Sequence, residues 1–266
     1  MLTPKRTLAR MWRPSRRRFL TGAAAGMSAL ALAGCDRVSN APWFGDVVEA
    51  AESLTRGVQR TLVGRQALAR EFTEADLSPV FKANGSTNPD NPEYQLLAAG
   101  GFKDWRLGVS GLVNRPLALS LADLKALPAR TQITRHDCVE GWSCIGKWKG
   151  ATLAQVLDRA GLRPNARFIV FMCADDLQAS FFGNQYYESI DLIDAYHPQT
   201  ILAYEMNDQP LAIPHGAPLR LRIERQLGYK MAKYLMEIQV VDSFAAIGSG
   251  KGGFWEDLGY EWYAGI

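Results

Sequence analysis

The chain is poor in the residues that would announce a reaction. Among 266 residues there are three histidines and four cysteines, too few and too scattered for a histidine-rich metal centre or a disulfide-stapled miniprotein. No Cys-x-x-Cys-His attaches a haem, no Gly-x-Gly-x-x-Gly directly follows a strand pattern, and no Gly-x-Ser-x-Gly supplies a nucleophile elbow. No apolar run reaches the ~20 residues of a membrane span. Acids are missing from residues 1–34, which hold seven Lys/Arg; that leaves 23 of the 30 bases for the other 232 residues, against 27 acids, a net of −4. The basic surface a nucleic-acid binder needs is therefore absent once the leader is discounted. What the chain has is 47% hydrophobic and 21% charged residues, enough for one sizeable core and too apolar for disorder.

The leader reads as an address. A basic start is followed by a weakly apolar stretch from Thr21 to Gly34 and then by Cys35. Ser15-Arg16-Arg17-Arg18-Phe19-Leu20 resembles the twin-arginine export signal, which implies delivery to the periplasm of a protein already folded around its cofactor. Leu32-Ala33-Gly34-Cys35 resembles a lipoprotein processing box, which implies a lipid on Cys35, and Asp36 resembles an inner-membrane retention residue. The plain alternative is a soluble product with Cys35 incidental. The expected organisation is thus a signal peptide over 1–34, a tether and helical arm over 35–75, and one domain over 76–266. Val47, Val48, Ala51, Leu54, Val58, Leu62 and Val63 recur at helical steps and predict a helix from Gly45 to Arg70, interrupted near Gly57 and Gly64. It would serve as a tether, an arm packed on its own domain or a docking helix.

Residues 83–92, rich in Asn, Pro and Gly, predict an irregular loop. Beyond Trp105 the patterns turn to strands: 105–113, 131–138, 168–173, 219–223 and a stretch from Ile238. Short helices fall at 119–127, capped by Ser120, and at 153–160, ended by Gly161. Strands interspersed with short helices and no βαβ rhythm argue for an α+β fold.

Cys138, Cys144 and Cys173 leave at least one thiol unpaired. A Cys138–Cys144 bridge is the bland possibility, and it would make the chain a thiol–disulfide protein. The unusual density lies in Arg135-His136-Asp137-Cys138-Val139-Glu140-Gly141-Trp142-Ser143, followed by Trp148, Lys149 and Gly150. A thiol framed by bases at a strand end is suited to becoming a thiolate. Further cations fall at His215 to Arg220 and Gly228 to Lys233. A thiolate inside a basic rim suits a soft-ligated metal carried by an anionic cofactor.

Cys138-Val-Glu-Gly-Trp-Ser143 with Trp148 and Gly150, His197-Pro198, His215-Gly-Ala-Pro-Leu-Arg220, Gly228-Tyr-Lys-Met-Ala-Lys233 and Gly253-Phe-Trp-Glu-Asp-Leu-Gly-Tyr260 occur in that order. Together they resemble the molybdopterin domain of the sulfite oxidase family, in the compact bacterial branch that contains periplasmic methionine-sulfoxide reductase catalytic subunits. The resemblance implies a single mixed-sheet sulfite-oxidase-type domain, α+β in class, behind the N-terminal helical arm. It implies a molybdenum–molybdopterin cofactor with Cys138 as the metal ligand. Asn84, Cys173, His215, Arg220, Met231, Ala232 and Lys233 fall at positions that contact that cofactor; Cys173 and His215 replace the branch's threonine and asparagine. Glu140 is expected near the metal, unless it pairs with Arg135 or Lys149, and Tyr229 is a candidate proton donor at the mouth, the alternative being a packing role. Trp142 and Trp148 would wall the site. The implied reaction is two-electron oxygen-atom transfer, reducing an S- or N-oxide; the alternatives are sulfite oxidation, with Arg135, Arg222 and Arg225 receiving the oxyanion, and a redox-inactive binding lipoprotein of the same fold. A monomer exchanging electrons with a membrane cytochrome b or a soluble cytochrome c is expected, since no haem or dimerisation domain follows the cofactor motifs.

Overall fold

A computed structural model describes residues 41–62, 64–177 and 185–266. The export signal, the processing box, Cys35 and Asp36 lie outside the described residues. Helix α1 is Pro42–Leu62. It begins before Gly45, runs through Gly57 and stops well short of Arg70. Gly64, with φ 68°, takes the left-handed conformation that costs glycine little. Residues 41–57 belong to one compact unit; residues from Val58 onward belong to a second.

The second unit is α+β, as its patterning predicts, but its strands divide between two sheets, only one of them mixed. The first has the order β2-β1-β10-β5-β6, where β1 is Leu107–Gly111, β2 Leu117–Leu119, β5 Phe168–Cys173, β6 Tyr187–Asp191 and β10 Leu235–Val241. The pair β1–β10 is parallel and the other pairs are antiparallel. The second sheet is antiparallel: β3 (Ala129–Asp137), β4 (Ser143–Thr152), β7 (Ile201–Met206) and β8 (Gln209–Pro210), with β9 (Arg220–Arg222) also on β7.

Local chemistry explains the helices between them. The helix Pro92–Ala99 (α2), absent from the sequence expectations, starts where Asn91 Oδ1 accepts from the Tyr94 amide at 3.0 Å, with Pro92 at the first position. Helix α3 (Leu121–Lys125) has the expected Ser120 cap: Ser120 Oγ accepts from the Asp123 amide and Asp123 returns the bond to the Ser120 amide. In α4 (Leu153–Ala160), Leu153, Val156, Leu157 and Ala160 are buried at three- and four-residue steps, and Gly161 ends the helix at φ 70°. That face covers a core that includes Leu107, Val109, Ile169, Phe171, Ile238 and Val240, where each fully buried aliphatic side chain contributes about 1.5–3 kcal/mol.

The alternation of Leu219 to Ile223 does not separate a dry face from a wet one. Arg220, Leu221 and Arg222 are all buried; the alternation is of chemistry, with two guanidiniums on the face opposite the leucine.

Candidate active site

The loop joining β3 to β4 carries Cys138. The strands are in register to Asp137↔Ser143, so residues 138–142 must reverse the chain. The Cys138 amide donates to Trp142 O at 2.9 Å, and the Gly141 amide to Cys138 O at 3.0 Å. Gly141 makes the turn at φ 83°, where a side chain would be strained. The result points Cys138 into a cleft of about 750 Å³, open to solvent. Asn84, from the irregular loop, sits beside it with Nδ2 3.7 Å from Sγ. No bridge to Cys144 forms: both thiols are free, and Cys144 Sγ faces Val80 O at 3.7 Å. The thiol–disulfide possibility therefore fails on geometry.

Cations form the floor. Arg220, buried, donates to His215 O at 3.0 Å and Met231 O at 3.4 Å, while its Nε has no partner. Its guanidinium carbon lies 5.0 Å from the Trp148 ring centroid, and that of Arg222 lies 4.3 Å from it. The two arginines differ in one respect. Arg222 is neutralised by Glu224, which accepts from Nε at 2.9 Å and Nη2 at 2.6 Å; Arg220 faces only carbonyls. Burial, and then Arg222, lower the Arg220 pKa to about 9. Lys233 Nζ donates to Asn84 O at 2.7 Å, to Pro214 O at 3.3 Å and to Ser86 O. Burial, and then Arg220, bring it down to about 7. Asp175, buried in the wall with Oδ1 unpartnered, is pushed up to about 7 by burial, against the pull of Lys233.

His136, one of the basic residues expected to frame Cys138, is neutral. Burial, and then Arg222, hold its pKa well below the ordinary range. Arg222 donates to Nδ1 at 3.1 Å, which leaves the proton on Nε2. Gly228 packs flat on the ring: a Cβ there would stand 2.4 Å from Nε2.

The rim brings Glu140 and Tyr229 together with Val139, Trp255 and Tyr260. Glu140 pairs with neither Arg135 nor Lys149. It accepts from Trp142 Nε1 at 2.8 Å and Lys82 Nζ at 3.2 Å, and these contacts lower its pKa. Arg135 binds Asp137, and Lys149 binds Glu205. Tyr229 donates to Glu261 O at 2.6 Å and meets Tyr260 edge-on at 5.3 Å. Of the residues expected at the cofactor, Asn84, Cys138, Arg220, Met231 and Lys233 line the cleft.

Cys173, His215 and Ala232 do not line it. Cys173 is wholly buried at the end of β5, where desolvation pushes its thiol up. His215 stands behind Arg220 and supports it through its carbonyl. Ala232 accepts from the Leu221 amide at 2.8 Å. Trp142 and Trp148 are likewise not walls: one holds Glu140, and the other lies beneath the arginines. None of Arg135, Arg222 and Arg225 reaches the cleft; Arg225 binds Asp194 at 2.9 Å. The sequence reading missed Asp175, Ser86 and Tyr186. Asp175 had a signal, a carboxylate immediately behind the all-apolar strand 168–173; Ser86 and Tyr186 had none.

With this geometry in place, residues 96–246 match the family described as oxidoreductase molybdopterin binding domain. The chain is similar to a putative protein-methionine-sulfoxide reductase subunit of Azospira oryzae, 39% identical over 208 residues, covering 78% of this chain and 72% of the relative. It is similar to the protein-methionine-sulfoxide reductase catalytic subunit of Xanthomonas campestris pv. campestris, 35% identical over 145 residues, covering 52% of this chain and 45% of the relative. The chain thus spans less than half of the second relative's length. Among solved structures, the sulfane dehydrogenase SoxCD of Paracoccus pantotrophus aligns with a TM-score of 0.48 and 23% identity, over 53% of this chain and 39% of that one.

Proposed function

The chain belongs to the oxidoreductase molybdopterin binding domain family, and from that membership we propose that it is an exported, molybdenum-dependent reductase of S-oxides, with the sulfoxide of methionine side chains as its substrate class. The residues present fit the cofactor. A free thiol stands at the floor of an open cleft, and beside it a buried guanidinium has an unpartnered Nε and no carboxylate of its own. Such an arrangement is costly alone and is relieved by a bound anion.

When bound, the group supplies a metal whose two-electron change of oxidation state accompanies transfer of an oxygen atom. Cys138, as thiolate, would ligate it. Arg220 and Lys233 would grip the cofactor phosphate, the planar fork of Arg220 bidentately. The Asn84 amide orients the Cys138 sulfur. Reduction of a sulfoxide to a thioether and water consumes two electrons and two protons. Glu140 and Tyr229, both at the rim, would hold or pass those protons. The electrons come from a separate carrier, a membrane cytochrome b or a soluble cytochrome c. The export signal puts the enzyme in the periplasm, and lipidation at Cys35 would hold it beside such a partner.

The rim supports this substrate over sulfite. Beyond Arg220 and Lys233 on the floor, the opening is lined by Val139, Tyr229, Trp255, Tyr260 and the Glu140 carboxylate. A neutral sulfoxide on an apolar stem suits that surface, whereas a dianion finds no arginine at the rim and a Lys82 already paired with Glu140. The decisive experiment is a substrate panel on the metallated protein with artificial electron donors and acceptors, run in both directions. Sulfoxide-dependent oxidation of the donor is expected, together with about one molybdenum per chain that Cys138→Ser abolishes. Turnover with sulfite alone would overturn the direction, and a cofactor-competent preparation without molybdenum would overturn the enzyme.

A further inference from the structure

Among the described residues, a row of large apolar side chains that the reaction leaves unused lies on α1. Trp43, Val47, Leu54 and Val58 are 55%, 53%, 69% and 48% exposed. At 100° per residue these four positions fall within an arc of about 60°, with Ala50 and Ala51 in the same stripe. Asp46, Glu49, Glu52, Arg56 and Arg60 occupy positions on the other side of the helix. From this face we infer that α1 lies on a lipid bilayer, with the stripe sunk to the level of the headgroups, while on the opposite side Arg60 is paired with Asp191 and Asp194.

Three observations favour a bilayer over a protein as the occupant. First, an apolar stripe opposed by a charged face, on a helix of low net hydrophobicity, is the form of an interfacial helix. Among the described residues no helix is long and apolar enough to cross a membrane. Second, Pro42 follows Cys35 by seven residues, a reach of at most about 25 Å when extended. A lipid on Cys35 would therefore keep α1 within touching distance of the surface and raise its effective concentration there; this leg rests on the lipoprotein reading above. Third, a single row of four large side chains falls far short of the roughly 1,200 Å² that a stable protein interface buries. It is nevertheless sufficient for an element already tethered. Trp43 at the N-terminal end, nearest the tether, is the side chain best suited to the headgroup level. With three acids and two bases in the helix, no attraction to anionic lipid is available, so apolar burial alone provides the contact.

The test uses the mature, cofactor-loaded protein recovered from the cell envelope and placed in vesicles of phosphatidylethanolamine and phosphatidylglycerol. A nitroxide is attached through Leu54→Cys or, on the opposite face, Arg56→Cys. The label at 54 is expected to be relaxed by oxygen and shielded from an aqueous nickel chelate, the label at 56 the reverse, with the contrast insensitive to salt. Val47→Asp combined with Leu54→Cys should abolish the contrast while sulfoxide turnover is unchanged. A label at 54 as open to nickel as that at 56 overturns the inference, as does one shielded from both agents, which would mean a protein covers the stripe. The N-terminal mass and the activity are read on the same sample. An unacylated Cys35 or an inactive enzyme that keeps the contrast removes the lipoprotein or reductase reading and leaves this one standing.

Discussion

A guanidinium beside a half-neutral lysine, both buried, is an arrangement that only an anion completes. Lys233, brought down from 10.5 to about 7, is uncharged above that pH, and Asp175, pushed up from 3.8 to about 7, ionises over the same range. Both changes strip positive charge from the floor as pH rises. The linkage signs are opposite: the folding cost of Lys233 is full below about 7 and fades toward 10.5, while that of Asp175 is absent below 3.8 and full above about 7. The two costs together are therefore largest near neutrality, and an anion on the floor offsets that of the ammonium wherever Lys233 is charged. Sulfate should therefore bind the cofactor-free protein with an affinity that is steady below about pH 7 and falls about tenfold per unit above it. Calorimetry across pH 5.5 to 8.5 checks this, with Lys233→Met flattening the profile and Arg220→Met removing most of the binding; an unchanged affinity across the range would mean that neither group faces the anion.

Among the elements, Gly150 shows how a family motif residue can be explained by packing. It sits on β4 at the register shift against β7, where an added Cβ would lie 2.1 Å from Leu202 O and 2.7 Å from Ala203 Cα. Backbone cannot yield as a side-chain tip can, so Gly150→Ala should destabilise the second sheet by about 2–3 kcal/mol. Denaturant melts should show it as a lower midpoint, with the thiol of Cys138 still free. A midpoint equal to wild type would mean the two strands separate at no cost. The elements that were legible in the sequence share local causes: the Ser120 capping box, the buried stripe of Leu153 to Ala160 with Gly161 behind it, and the continuous apolar run of Phe168 to Cys173. Those that were not depend on partners far along the chain. Ile201–Met206 is a strand because β4 and β9 flank it, and Asn84 reaches Cys138 because Lys233 pulls on its carbonyl. Cys144 and Cys138 look like a bridge in one dimension; in the hairpin Cys144 is opposite His136 instead. His136 looks basic until Arg222 is seen to donate to it.

At the scale of the whole molecule the charge is divided by position. Residues 1–34 hold seven bases and no acid, and they account for the basic isoelectric point of the whole chain, about 8.7. Cutting at Cys35 removes seven positive charges and no negative ones, leaving a chain with 23 bases against 27 acids. A processed enzyme should therefore focus on the acidic side of neutrality and its precursor on the basic side. Replacing Arg16 and Arg17 by lysine, which blocks a twin-arginine route, should trap the basic form inside the cell with its metal already in place, because that route carries folded cargo. Isoelectric focusing of periplasmic and cytoplasmic fractions, with molybdenum measured in each, separates the possibilities. A basic form in the periplasm would mean the leader is kept, and an acidic form in the double-lysine variant would mean another route delivers it. On the proposed reading, in which a cytochrome supplies the electrons, the acidic body would dock most readily on a carrier with a basic face, and that association should weaken steeply with salt.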